Sequence, residues 1–266
     1  MRRSRLSEKT VELVVKDYPL LVFLITLITL WLAEWLGSRL LFQERDAAER
    51  SDSSDGVIQG SVLTLLALLI GFSFAMAVNR YDLRKNYEEA EANAIGTEFL
   101  RAGFLPGEDA EKTRNLLRLY LDQRLRFYTI RDATQLQHAN AETSALQTQL
   151  WTIVQRNAIA EPNVVLALVA AGMNDVLNSE GYTQAAWWNR IPSAAWLFML
   201  LVAICSNVLI GYAVRKSRSE RRMLFVLPLV VAASFMLIAD IDSPRGGLIR
   251  VDPHNLLRLA ESLRAQ

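Results

Sequence analysis

Four apolar runs divide this sequence, and polar stretches separate them. The runs cover residues 18–37, 57–79, 194–214 and 223–239. The first contains one charged residue, Glu34, and the fourth contains Pro228, which predicts a kink because proline removes a backbone donor. A helix of about 20 residues is long enough to cross the hydrocarbon core of a bilayer. The pattern therefore predicts four transmembrane helices, and the first is expected to be retained rather than cleaved as a signal peptide.

The long polar block between the second and third runs, residues 80–193, has apolar positions at helical spacing. Breaks are predicted at Leu105-Pro106-Gly107 and at Glu161-Pro162-Asn163. Helices are expected over 82–104, 111–131, 142–159 and 164–173. The ten apolar residues of 164–173 are too few to span a bilayer, so a buried core helix is predicted there.

Residues 240–266 predict a turn followed by a short amphipathic helix, with Asp252 as N-cap and Pro253 in the first turn. This helix could dock on the body of the protein or lie on the membrane surface, and docking is favoured. The expected fold is all-α, with four transmembrane helices and a water-facing helical bundle inserted between the second and third. The predicted parts are 1–79, 80–193, 194–239 and 240–266.

The composition of the chain excludes several classes of function. The chain is 52% hydrophobic and 21% charged. Its net charge of +1 shows no excess of basic residues of the kind that binds nucleic acid. A single cysteine, Cys205, excludes a disulfide framework. The two histidines, His138 and His254, lie in separate segments, and no nucleophile elbow, phosphate-binding loop or zinc-protease motif is present. We therefore expect no enzyme activity, no cofactor and no metal.

Lysine and arginine counts in the short loops predict the orientation. With the N-terminus inside, 13 of these residues face the cytoplasm and 8 face outward. This favours a cytoplasmic bundle in a bacterial inner-membrane protein. The compact basic loop 215–222 favours the opposite orientation.

The second run carries the most informative pattern. Thr64, Leu68 and Phe72 recur every four residues and share one helix face. Small residues in the same run provide for close helix approach. They are Gly60, Ala67, Gly71 and Ala75. The face could be a pore lining or an ordinary helix-packing surface, and its spacing alone favours packing.

A cluster of cations follows directly after this run, at Arg80, Arg84 and Lys85. Positive charge beyond an apolar constriction concentrates anions. The alternative is a solvated helix with ion pairs at i,i+4 spacing. These pairs would be Arg84–Glu88 and Lys85–Glu89.

The same region carries a family resemblance. Its motifs are Gly71-Phe72, Arg80-Tyr81-Asp82-Leu83-Arg84, Glu91-Ala92-Asn93-Ala94-Ile95-Gly96, Leu100-Arg101, Leu105-Pro106 and the late Ala239-Asp240-Ile241-Asp242-Ser243-Pro244-Arg245-Gly246-Gly247. This set resembles the bacterial bestrophin-like membrane-protein family over most of the chain. More distantly it is similar to bestrophins, which are pentameric anion channels with four spans and a cytosolic helical bundle.

That resemblance implies a pore lined by the second span, with a neck at Thr64, Leu68 and Phe72. Thr64 departs from the bulky apolar residue usual at its position. The acidic calcium site of animal bestrophins is not reproduced, because only Asp240 and Asp242 stand near the equivalent place and calcium takes about six to eight oxygen ligands. The two aspartates are interpreted first as turn formers, and second as partners for Arg80, Arg84 or Arg245.

The leading hypothesis is a homo-oligomer, a pentamer by resemblance, that conducts small anions such as chloride passively through the bilayer. The alternative is a non-conducting sensor or scaffold that uses the bundle to bind a ligand or partner. A proton-coupled transporter is disfavoured, because the two middle spans contain no acid or base.

Overall fold

The computed structural model describes residues 17–40, 52–213 and 225–265. The basic loop 215–222 and the first two residues of the predicted fourth span lie outside this part. The described residues form α-helices and no strand, which confirms the all-α class. The helices are α1 Pro19–Leu40, α2 Asp52–Arg101, α3 Glu108–Thr129, α4 Ala133–Ala160, α5 Val164–Trp188, α6 Ser193–Ala213, α7 Val226–Asp242 and α8 His254–Arg264, with a 3-10 turn at Ala102–Phe104.

The chain forms two compact units. The first, which we call the apolar unit, contains the described residues up to 80 together with those of 190–250. The second, which we call the bundle, contains 81–189 and the described residues from 251 onward. The 50-residue helix α2 contributes to both. The segment 240–266, predicted as one part, is thus divided between the two units.

The apolar unit has a core to which α1, α2, α6 and α7 all contribute. The buried core residues are Leu30, Leu66, Met199, Ala203, Val231 and Phe235. The helices α1 and α6 approach each other closely at two glycines. A side chain at Gly37 would overlap the backbone of Val208, and one at Gly211 would overlap the backbone of Glu34. These two glycines let the helix backbones come into contact.

Three segments are long and apolar enough to cross a membrane: Pro19–Arg39, Gly56–Phe104 and Val164–Tyr212. They cover nearly all of the first three predicted spans. The helix in place of the fourth, α7, has 17 residues. That is shorter than the roughly 20 residues a straight transmembrane helix uses. The count of four spans therefore stays a prediction.

The bundle has its own core of side chains from α2, α3, α4, α5 and α8. An ion pair lies within it. Arg124 of α3 donates to the carboxylate of Glu91 of α2, which also accepts from Tyr128 at 3.3 Å and Thr183 at 3.1 Å. Burial and then the Glu91 carboxylate raise the pKa of the Tyr128 hydroxyl, so that it stays a donor.

The C-terminal helix α8 docks on the bundle, as the favoured interpretation predicted, through Leu256, Ala260 and Leu263. Its start differs from the prediction. Pro253 is the N-cap and no side chain of the cap residue bonds the first turn, so the assignment of Asp252 was wrong. Instead, Glu88 of α2 accepts from the backbone N–H of Leu256 at 2.9 Å and from Asn255 at 2.7 Å. A distant carboxylate thus provides the helix cap.

Two bundle helices are longer than predicted. Helix α4 begins nine residues before the expected start, because the side chain of Asp132 accepts from the N–H of Gln135 and caps it there. Helix α5 has 25 residues rather than ten. Its apolar start is also exposed on one side, at Val164 and Leu168, so only one face of the predicted core helix is buried. The breaks predicted at 105–107 and 161–163 are confirmed.

Candidate functional site

The three residues predicted to line a pore lie on the outer face of α2. Phe72 is 63% exposed, Leu68 is 51% exposed, and Thr64 is exposed with its hydroxyl donating to the Gly60 carbonyl at 2.8 Å. The opposite face of the same helix holds the buried residues, Leu66, Ser73 and Ala77. An exposed apolar face on a helix that is anchored on its other side is available to another surface.

The apolar stretch of α2 is also the least covered of the three candidate spans. Within the chain, 17% of it is buried, against 33% for α1 and 28% for the third segment. Its small residues were predicted to allow close helix approach, but a side chain at Gly60 or Gly71 would meet nothing within 4 Å. Close approach within the chain occurs at Gly37 and Gly211 instead. The outer face of α2 is thus open in a single chain.

The three cations that follow differ in environment. Lys85 is exposed and Arg80 is half-buried, with its guanidinium 3.7 Å from the Met76 sulfur. Arg84 is 1% exposed. Glu88 is also buried and bonds to the start of α8. Arg84 and Glu88 are therefore not on a solvated helix surface, and the predicted pairing of these two side chains stays a prediction.

Asp240 closes the loop after α7. Its two carboxylate oxygens accept from the backbone N–H groups of Leu248 at 2.7 Å and Ile249 at 2.9 Å. Gly247, inside the loop, has a positive φ of 75°, and a side chain there would overlap the Asp240 carboxylate. Only glycine suits this position.

Asp242 and Ser243 connect the same turn to two other segments. Both oxygens of Asp242 accept from the Ile191 N–H, at 3.1 and 3.2 Å. The Ser243 hydroxyl donates to Asp17 at 2.8 Å, and Arg190 donates to the same Asp17 oxygen at 2.6 Å. The end of α7 is thereby tied to the residues just before α1 and α6. Arg245, the third predicted residue here, is half-buried in the loop.

We expect Gly247→Ala to destabilise the protein by about 3–4 kcal/mol. Left-handed backbone strain accounts for about 1–2 kcal/mol, and disturbing the two hydrogen bonds to Asp240 adds about 1 kcal/mol each. The measurement is denaturant unfolding in detergent. Gly107→Ala is the matched control, because Gly107 also has a positive φ, 49°, but nothing within 4 Å of a side chain. Equal losses in the two variants would contradict the role given to Asp240.

Sequence reasoning missed a stripe of buried charge on the bundle part of α2. Glu88, Glu91 and Glu98 are all buried, on the same face as Ile95 and Ala102. The signal in the sequence was spacing: the glutamates and the two apolar residues together follow one another at intervals of three or four residues, as the buried positions of a helix do. No group of three or more His, Cys, Asp or Glu side chains that could hold a metal ion occurs in the described part of the chain.

Three segments are long and apolar enough to cross a bilayer, and the described secondary structure is helical. These features define an integral membrane protein of the all-α class. The sequence matches the family model described as Bestrophin-like domain over residues 24–256. The chain therefore belongs to the Bestrophin-like family. No curated protein sequence matches it significantly.

Solved structures share this fold. A bacterial bestrophin homolog from Klebsiella pneumoniae has 13% identity and a TM-score of 0.60, with 92% of this chain and 95% of that one covered. A tryptophan-to-alanine variant of that homolog has 12% identity and a TM-score of 0.62, with 91% and 94% covered. A proline-to-alanine variant described only as a membrane protein has 12% identity and a TM-score of 0.59, with 93% and 96% covered.

Proposed function

We propose that the protein assembles as a homo-oligomer, a pentamer, whose α2 helices surround a pore for small anions such as chloride. The neck would be formed by Thr64, Leu68 and Phe72 from each copy. The observation that carries this proposal is the open outer face of α2, where large apolar side chains remain exposed in the described part of the chain. Membership of the Bestrophin-like family supports it.

The proposed site continues along α2 into the cations. Lys85 is exposed and Arg80 is partly exposed, so both could attract anions near the end of the neck. Arg84 is buried, and we assign it to the support of the helix rather than to contact with ions. Asp240, Asp242 and Arg245 belong in this scheme to the turn after α7.

We further propose that four helices span the bacterial inner membrane, with α7 as the fourth, and that residues 80–193 form a cytoplasmic bundle. A reporter fused at the exposed Pro106 should give a cytoplasmic signal. A periplasmic signal there would overturn the orientation and would favour a sensor or scaffold that receives its ligand outside the cell.

Phe72→Ala should increase the chloride current of the purified protein in planar bilayers severalfold. Truncating an apolar ring at a narrow neck lowers the barrier that an ion meets when it loses water there. Phe74→Ala is the matched control, since Phe74 is on the same helix but points away from the Thr64–Phe72 face. Its current should equal that of the unmodified protein.

Protein that is oligomeric in particle images but carries no chloride current would overturn the channel proposal. A ring of subunits with a central opening is the expected image. A dimer without such an opening would favour the scaffold. Equal currents from the Phe72 and Phe74 variants would show that Phe72 does not form part of the neck.

A further inference from the structure

A buried carboxyl group in the bundle lacks partners. Glu98 of α2 is 0% exposed, and neither of its oxygens has a hydrogen-bond partner among the described residues. The other two buried glutamates of this stripe are paired, Glu91 with Arg124 and Glu88 with the start of α8. A buried carboxylate costs several kcal/mol unless it is paired and hydrogen-bonded. Glu98 therefore differs from Glu88 and Glu91 on the same face, because it is buried without a hydrogen-bond partner among the described residues.

The surroundings of Glu98 are tightly packed. Helix α5 lies against it at Gly172, where any side chain would overlap the Glu98 carboxyl and the Arg101 guanidinium. Arg101 also approaches the Leu168 carbonyl of α5, at 3.5 Å. The end of α2 and the middle of α5 therefore touch through a glycine and a carboxyl group.

Two charged residues act on Glu98 at this contact, and a third lies on the neighbouring turn. Arg101 on α2 favours the charged carboxylate, and Asp175 on α5 opposes it. From α3, Arg114 lies beside Gly103 and over the ring of Phe99, on the neighbouring turn. Burial is the largest effect: it outweighs the opposing Arg101 and, with Asp175, raises the pKa of Glu98 to about 8. Glu98 lies beyond the apolar stretch of α2, in its polar part.

We propose that Glu98 is a proton-operated latch between α2 and α5. With its proton, the neutral carboxyl group packs against Gly172 and the two helices stay in contact. When the proton leaves to solvent, the charge is buried beside Asp175 with only partial compensation, and the segment 98–104 separates from α5 so that water reaches the carboxylate. This inference goes beyond the proposed function, because the latch belongs to the bundle and needs no ion flow.

The direction of the pH effect follows from linkage. The closed contact holds the proton up to about pH 8, whereas an open, hydrated glutamate releases it near 4.5. The closed state therefore binds more protons between these values, and opening becomes more favourable as pH rises through this window, by up to about tenfold per pH unit. Below about 4.5 and above about 8 the effect levels off.

Amide hydrogen exchange of the full chain in detergent tests the latch. After correction for the pH dependence of chemical exchange, protection of residues 98–104 and 165–175 should fall by up to about tenfold per pH unit between about pH 6 and 8. In Glu98→Gln this fall should disappear. Glu89→Gln is the matched control, because Glu89 is an exposed glutamate on the same helix, and it should behave as the unmodified protein does.

Asp175→Asn gives an independent measurement that does not depend on Glu98→Gln folding. Removing the like charge should shift the upper end of the pH window to lower pH, since Asp175 raises the pKa of Glu98. A fall in protection that persists in Glu98→Gln would overturn the proposal. The absence of any such fall in the unmodified protein would do the same. An unshifted window in Asp175→Asn would exclude Glu98 as the titrating group.

Discussion

Glu91→Gln should lower the free energy of unfolding of the bundle by about 3–5 kcal/mol, the range for removing one partner of a buried ion pair. Arg124 is fully buried and its guanidinium bonds to Glu91. Burial alone would lower the pKa of Arg124, but the Glu91 carboxylate, together with Tyr120 and Glu180, more than reverses this, so the arginine stays charged. In the variant that charge has only Glu180 near it, at 3.7 Å, among the described residues. Denaturant titration in detergent measures the loss.

A double variant separates the ion pair from simple packing. Combining Glu91→Gln with Arg124→Met should recover part of the stability, because an apolar side chain needs no counter-charge. Glu89→Gln, on the exposed side of the same helix, should change stability by less than about 0.5 kcal/mol. Strictly additive losses in the double variant would show that the two side chains do not depend on each other.

Gly211→Leu should prevent the apolar unit from packing, and Gly211→Ala should cost about 1–3 kcal/mol, the usual range for overpacking. The reason is that a side chain at Gly211 would meet the Glu34 carbonyl and, at 3.1 Å, the Ser38 nitrogen. These are backbone atoms of α1 and cannot rotate away. Thermal unfolding of the detergent-purified protein, followed by its helical signal, measures both effects.

The matched control is Gly60→Ala, in a helix of the same unit but with open space around the added methyl group. It should be neutral, or stabilising by up to about 1 kcal/mol through the higher helix propensity of alanine. If Gly60→Ala and Gly211→Ala lowered the melting temperature equally, the loss could not be assigned to the contact between α1 and α6.

The membrane helices could be predicted from the sequence because their signal is local. A run such as 18–37 is long enough and apolar enough to identify a helix by itself. The exposed position of Leu68 and Phe72 did not follow from periodicity, because their spacing alone favoured a packing surface, and the structure buries the opposite face of α2 instead. The length of α5 could not be predicted in this way, because Asn174 and Asp175 end the apolar run without ending the helix.

The buried charges could not be assigned because their partners are distant in sequence. Glu91 bonds to Arg124, 33 residues away, and to Thr183, 92 residues away. Considered alone, the stretch around Arg84 and Glu88 has the composition of a solvated helix. Only the tertiary structure places Glu88 against α8 and Glu91 against α3 and α5, where the charge is stabilised by its partners rather than by water.

The capping of α8 by Glu88 affects the order in which the bundle can be made. The carboxylate and the Leu256 N–H that it binds are 168 residues apart, so this contact forms only after both have left the ribosome. Until then the bundle core lacks Leu256, Ala260 and Leu263, and Glu88 has no helix to cap. Formation of the complete bundle is therefore a late step in biogenesis, and it follows synthesis of α1, α2, α6 and α7.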